Sequence, residues 1–363
     1  MAPPSAQAII QKSPSGLMRP HESLIDACHV PTQEFSVGIG QPVRKGTIVA
    51  VQVHPQVQAI LDATAEAGIP KIQTLTPKAS RDLIEALAAK RLEDYPSPQI
   101  DSVREASTGA GYNHVPVRIY RSGDDAPQPV IVFYHGGGFV FGSLDTHDTA
   151  VRFLSRTVGC TIVAVDYRMA PEHRFPTAAD DAYQAARWVA DNAGALQVDP
   201  TKIAVAGDSA GGNLSAVVAL MARDRDDFSV SAQCLIYPAT DLRAQHDSYE
   251  RFGTGYGILE AAGMRWFIDH YFGDDNQAEH WQASPMLADS LAGLPPALVQ
   301  TAECDVLHDE GRAYAERLSA EGVDASHINY AGMIHGFFGY LGLVDDAERA
   351  HRDVAAFLHR VWG

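Results

Sequence analysis

Cysteine is scarce in this chain. The four residues, Cys28, Cys160, Cys234 and Cys304, are scattered over 363 positions with no C-x-x-C pair and no metal-ligand spacing. That pattern gives neither a disulfide framework nor a structural zinc site, so free thiols are expected. Cys160 and Cys234 fall at or in apolar strands and read as packing residues. Basic charge is also in short supply, with 28 Lys and Arg against 45 Asp and Glu and a formal net charge of −17. With no basic cluster to offset that balance, partnership with nucleic acid or an anionic membrane surface is excluded, and the acidity serves solubility. No apolar run approaches the roughly 20 residues of a membrane span. The N-terminus, Met1-Ala-Pro-Pro-Ser-Ala-Gln-Ala-Ile-Ile10, lacks a basic region followed by an apolar core. The expected location is the cytoplasm.

What the chain does have is apolar content, 46% of its residues, enough for one large α/β domain with additions or for two ordinary domains. Strand-like runs cover Ser102 to Ala106, Val115 to Tyr120, Val130 to Tyr134, Thr161 to Val165, Ile203 to Ala206, Ala232 to Ile236, Ala297 to Thr301 and His327 to Tyr330. The first two read as an antiparallel start; helical patterns separate most of the others, which predicts a mostly parallel eight-stranded sheet flanked by helices. Residues 100–363 form this catalytic domain. Ahead of it, residues 54–99 carry apolar residues at helical spacing over Pro55 to Ala67 and Pro77 to Arg91. A second excursion, 241–285, holds Tyr249, Phe252, Tyr256, Trp266, Phe267, Tyr271, Phe272 and Trp281, more aromatics than a polar connection needs. Both regions are expected to build a helical cap over the sheet, most of these aromatics forming its core and some lining a pocket. Residues 1–53, rich in Pro, Ser, Gly and Gln, read as a disordered or loosely docked extension, with Val49 or Val51 as an alternative natural start.

Gly207-Asp208-Ser209-Ala210-Gly211 directly follows the apolar run Ile203-Ala204-Val205-Ala206 and directly precedes a small-residue helical stretch, Gly212 to Ala222. A glycine on each side lets the backbone turn sharply enough to expose the Ser209 hydroxyl, in front of a helix N-terminus that favours developing negative charge. Upstream, the strand Val130 to Tyr134 runs into His135-Gly136-Gly137-Gly138-Phe139. Three glycines there suit a reaction that places charge on a carbonyl oxygen, because main-chain N–H groups reach that oxygen only where no side chain blocks them. Gly137 and Gly138 would donate, joined by Ala210. Each such donor is worth roughly 3 kcal/mol in the transition state.

A serine hydroxyl needs a base, and the base needs a carboxylate to hold its tautomer. Two loops after strands near the C-terminus offer them: Ala302-Glu303-Cys304-Asp305-Val306-Leu307-His308-Asp309 and Met333-Ile334-His335-Gly336-Phe337. Asp305 and His335 are the expected acid and base. Among competitors, Asp309 reads as the cap of a helix starting near Glu310, Glu303 as a supporting or surface residue, His135 as a prop of the glycine loop, and Asp208 as a residue that orients the serine turn. Cys304, beside the acid, is expected to be reached by thiol reagents that would crowd the acid loop.

These motifs, with Asp166-Tyr-Arg-Met-Ala-Pro-Glu-His-Arg-Phe-Pro176 and Gly207-Asp-Ser-Ala-Gly-Gly-Asn213, stand in the order of the hormone-sensitive-lipase family of bacterial carboxylesterases. The chain resembles that family, in the branch whose serine turn reads GDSAG, over roughly residues 54 to 363. It departs from the pattern at Met169, where leucine is usual, and at Cys304 and Val306, where an aromatic residue and proline are common. The resemblance implies an α/β-hydrolase fold with a helical cap, no cofactor and no metal, a small-molecule ester substrate with a short to medium acyl chain, and a monomer or homodimer. The charged segment Asp166 to Pro176 is expected to be a loop fixed by ion pairs beside the glycine loop. Amide hydrolysis, deacylation of a specialised compound, and ligand binding without turnover remain open alternatives; a lipase acting at interfaces is disfavoured.

Overall fold

In the computed structural model, which describes residues 51–123 and 127–363, eight strands form one sheet. They are β1 (Ser102–Ser107), β2 (Pro116–Arg121), β3 (Gln128–Tyr134), β4 (Thr161–Val165), β5 (Val198–Asp208), β6 (Ala232–Ile236), β7 (Ala297–Cys304) and β8 (Ala325–Ile334). Their spatial order is β1-β2-β4-β3-β5-β6-β7-β8. The pairs β1/β2 and β2/β4 are antiparallel and the remaining pairs parallel. The expected extension over residues 1–50, with Cys28, lies outside the described residues.

The sequence explains which strands sit where. β4 and β6 are buried at every position and are almost wholly apolar, Thr161 and Gln233 excepted, as strands covered on both faces are. At the edge, β8 alternates exposed and part-buried residues before turning inward near His335. Successive side chains of β3 point to opposite faces. Phe133 meets the His147 ring ahead of helix Asp148–Val158, while the Tyr134 hydroxyl donates to Ala182 O of helix Thr177–Asp191 at 2.9 Å. Helix Asp345–Trp362 packs beside the first of these helices and helix Ala210–Arg225 beside the second. Residues 210–222 of that last helix are buried all round, which its Gly, Ala and Ser content permits. Cys160 and Cys234 are fully buried, as packing residues should be.

Burial of His351 contributes to the acid sensitivity of the fold. His351, in helix Asp345–Trp362, stacks on Phe338 at 3.6 Å and meets Phe153 edge-on at 5.1 Å. Its Nδ1 faces Ala347 O at 2.8 Å and its Nε2 is buried without a partner. Burial pushes its pKa from 6.5 down to about 4. The unfolded chain therefore binds this proton first as pH falls below 6.5, and stability is lost from there down to about 4. Between pH 7 and 5 the contribution is about 2 kcal/mol, taking 1.36 kcal/mol per pH unit. His351→Phe should flatten the fall in Tm over that range; a variant as acid-sensitive as the wild type would absolve His351.

Candidate active site

β5 ends at Asp208, and the chain reverses at Ser209, whose φ of +56° and ψ of −116° lie outside the regions most residues adopt. Two things hold it there. The Ser209 amide donates to Ile236 O at 2.8 Å, and helix Ala210–Arg225 starts at the next residue. Only glycine fits at positions 207 and 211, because a Cβ at either would collide with the Tyr134 carbonyl of β3. The serine is thereby raised above the C-terminal ends of the two central strands, where open α/β sheets bind ligands.

The three residues singled out as nucleophile, base and acid come together there. Ser209 Oγ lies 2.9 Å from His335 Nε2, and His335 Nδ1 lies 2.7 Å from Asp305 Oδ2. The other carboxylate oxygen of Asp305 accepts the Leu307 amide at 3.0 Å, so its side chain has one orientation. The Tyr237 ring packs against the His335 imidazole at 4.7 Å. Gly137, Gly138 and Ala210 border the same cavity as Ser209 and His335. Gly137 and Gly138 have φ of +121° and +59°; a Cβ on the first would strike the Phe141 carbonyl and on the second would strike the Phe267 ring.

The glycine loop is held from below. The Tyr167 hydroxyl donates to His135 O at 2.7 Å and its ring stacks on the imidazole at 4.4 Å, so His135 props the loop. Burial, reinforced by the nearby His147, pushes the His135 pKa down to about 4, which keeps it neutral. Asp208 Oδ1 accepts the Gly136 amide at 2.9 Å, tying the glycine loop to the serine turn. The charged segment after β4 plays no direct part. Arg168 pairs with Asp181, and Glu172 with Arg81 of helix Pro77–Asp94, whose guanidinium also donates to the carbonyls of Val140 and Ala170 at 2.7 Å. That pairing holds the Glu172 carboxyl down at about 2.

Two expectations about the acid loop need correction. Asp309 is no helix cap: the helix spans His308–Ala320 with Leu307 ahead of it, and the Asp309 carboxylate pairs with Arg251 at 2.8 Å and His308 at 2.8 Å. Cys304 is fully buried, and burial beside Glu303 and Asp305 pushes its thiol up to about 12, so the native enzyme presents no reactive thiolate there. Glu303 is structural, accepting the Gly332 amide at 2.7 Å.

The cavity in front of Ser209 has an empty volume of about 830 Å³, its open mouth included. Of the eight aromatics in 241–285, only Phe267 and Tyr271 line it; Phe139 and Phe141 of the glycine loop join them, and the other apolar walls are aliphatic, chiefly Ile84, Leu242, Ile258, Leu259, Met264 and Ile268. Sequence reasoning passed over these aliphatics, because nothing distinguishes them from core residues until the roof is folded. It also passed over His147, which lines this cavity and a second one behind it. Among the described residues, no group of three or more His, Cys, Asp or Glu side chains could hold a metal ion, and no helix is long and apolar enough to cross a membrane.

Residues 131–339 match the model of an α/β-hydrolase-fold family. The carboxylic ester hydrolase LipN of Mycobacterium tuberculosis is 41% identical over 304 residues, which cover 80% of this chain and 78% of that one. An arylesterase of Saccharolobus solfataricus is 34% identical over 287 residues, 79% of this chain and 92% of its own. A solved hyperthermophilic esterase from the archaeon Pyrobaculum calidifontis superposes with a TM-score of 0.82 at 43% identity, covering 86% of this chain and 99% of that structure. A serine turn at the sheet centre, an apolar cavity before it and these relatives lead to one assignment: the chain belongs to the hormone-sensitive-lipase family of α/β-hydrolases and is a serine carboxylesterase.

Proposed function

We propose that Ser209 is the nucleophile, His335 its general base and then acid, and Asp305 the carboxylate that fixes the imidazole. Carrying this reading is the unbroken line Ser209 Oγ to His335 Nε2 at 2.9 Å and His335 Nδ1 to Asp305 Oδ2 at 2.7 Å, opening into an apolar cavity. Ser209 Oγ attacks the ester carbonyl while His335 takes its proton. The amides of Gly137, Gly138 and Ala210 receive the charge on the carbonyl oxygen. His335 returns the proton to the departing alcohol, and water, activated by the same imidazole, then frees the acid. The roof is our cap: helices Pro55–Glu66 and Pro77–Asp94 together with 241–285.

The substrate class follows from the walls. Phe267, Tyr271, Leu242 and Met264 line the cavity with apolar surface, and no Lys or Arg lines it to receive an anionic acyl chain. Short to medium, uncharged acyl groups fit. A p-nitrophenyl ester series from acetate to palmitate should give kcat/KM that peaks at short chains and falls steeply by palmitate. A peak at the long end would refute the size assignment, and no turnover at any length would refute the site.

A further inference from the structure

His147 sits just ahead of helix Asp148–Val158, has no place in the scheme above, and yet lines the cavity containing Ser209 and His335. Both of its ring nitrogens face oxygens. Its Nε2 lies 3.3 Å from Asp208 Oδ1. Its Nδ1 lies 2.9 Å from Thr146 Oγ1, a hydroxyl that accepts the Ser143 amide at 2.8 Å and lies 3.0 Å from Ser143 O, so it accepts from Nδ1 when its own proton goes to that carbonyl. This setting accommodates the imidazolium, which donates from both nitrogens. Asp208, for its part, is a buried carboxylate one residue before the nucleophile, and it holds the Gly136 amide at 2.9 Å. A buried carboxylate without a cation is costly, and its protonation or withdrawal would release Gly136.

We propose that His147 is a positioning residue of the esterase: as an imidazolium it anchors the Asp208 carboxylate, which seats Gly136 and with it the Gly137 and Gly138 amides around the ester oxygen. This rests on the reading of those amides as oxyanion donors. The groups facing His147 agree with the role. Glu85, on helix Pro77–Asp94, adds negative charge through space, while His135, 5.5 Å away ring to ring, is neutral and does not compete for Asp208. His335 borders the first cavity; Asp145, Tyr237, Tyr340 and Arg91 border the second. Arg91 is committed to the carbonyls of Gly339 and Leu341, which leaves His147 as the cation on Asp208. Burial alone would lower the His147 pKa, but the charge and hydrogen bond of Asp208 raise it above 6.5. The favourable pairing is therefore complete below 6.5 and is lost as pH rises through the raised value. Asp208, for which burial is outweighed by His147 and the Gly136 amide, has its pKa lowered and lets go only in acid.

The test is the pH profile of kcat and KM on a short-chain ester, for wild type and His147→Gln, which keeps an N–H for Asp208 but cannot titrate. Wild type, assayed well below its Tm, should show an alkaline limb above neutrality, carried by kcat with KM nearly constant, while Tm falls only modestly over the same range, as loss of the pairing requires. His147→Gln should lose that limb and run at a plateau about ten- to a hundredfold lower, the loss expected when a hydrogen bond to a charged group weakens. In an Asp208→Asn background the same substitution should do little more. Histidine NMR on wild type and Asp208→Asn covers a variant that folds poorly: the His147 resonance should titrate above 6.5 in the former and lower in the latter. An alkaline limb that survives in His147→Gln, its absence from wild type, or a His147 that titrates below 6.5 would each overturn the proposal. Wild type inactive at every pH would instead condemn the site itself.

Discussion

Ser209→Ala should reduce kcat by on the order of a million-fold, the scale seen when a triad serine is removed elsewhere, and leave a protein that melts like the wild type. The fold is indifferent because nothing but the hydroxyl changes: alanine at φ +56° is no more strained than serine there, and the Ser209 amide still donates to Ile236 O. The hydroxyl's one structural partner is the His335 imidazole, 2.9 Å away. Steady-state hydrolysis of p-nitrophenyl acetate alongside calorimetry checks both halves. Residual turnover within about tenfold of wild type would show that another group attacks the ester.

Alanine at Gly137 and at Gly138 should each cost roughly a hundred- to a thousandfold in kcat, the range for losing one donor to a developing oxyanion. The two should differ in how they are rescued. At position 138 the added methyl meets the Phe267 side chain, so Phe267→Ala in the same molecule opens the space and should recover part of the rate; the φ of +59° is one that alanine tolerates at a cost of about 1–2 kcal/mol. At position 137 the methyl meets the Phe141 main-chain carbonyl at a φ of +121°, and no truncation of a side chain relieves that. Equal rescue of both, or no loss in either, would remove the glycine loop from the chemistry.

The parts of this molecule that can be read from residues are those whose causes are local. β4 and β6 were legible to the residue: β4 is five consecutive β-branched or small positions, and β6 is an apolar run interrupted only by Gln233. The serine turn and glycine loop were legible because close main-chain approach allows only glycine, and that demand is written at the positions where it arises. Strand ends were less so. β5 begins at Val198, ahead of Asp-Pro-Thr-Lys, a stretch that reads as a turn and extends only because Val198 pairs with Gln128 of β3. β8 runs on through Gly332, whose φ of +67° marks the irregularity opposite Glu303 that sequence alone does not reveal. Least legible were His147, Arg81 and Arg91. Arg91 bonds the carbonyl of a residue 250 positions away, and a carbonyl acceptor leaves no side-chain signature at all.

The 126 residues that separate Ser209 from His335, the proposed nucleophile and base, have a consequence for how activity first appears. A growing polypeptide completes β3, β5 and the serine turn long before His335 exists, and it holds an inert alcohol until β7 and then β8 close the far side of the sheet. Such distant pairings are slow to form because the intervening loop must be ordered first. Hydrolysis is thus a late event in the life of each molecule. A chain that misplaces only its final strand is catalytically silent although its central strands are in register, which makes ester turnover a direct count of completed molecules.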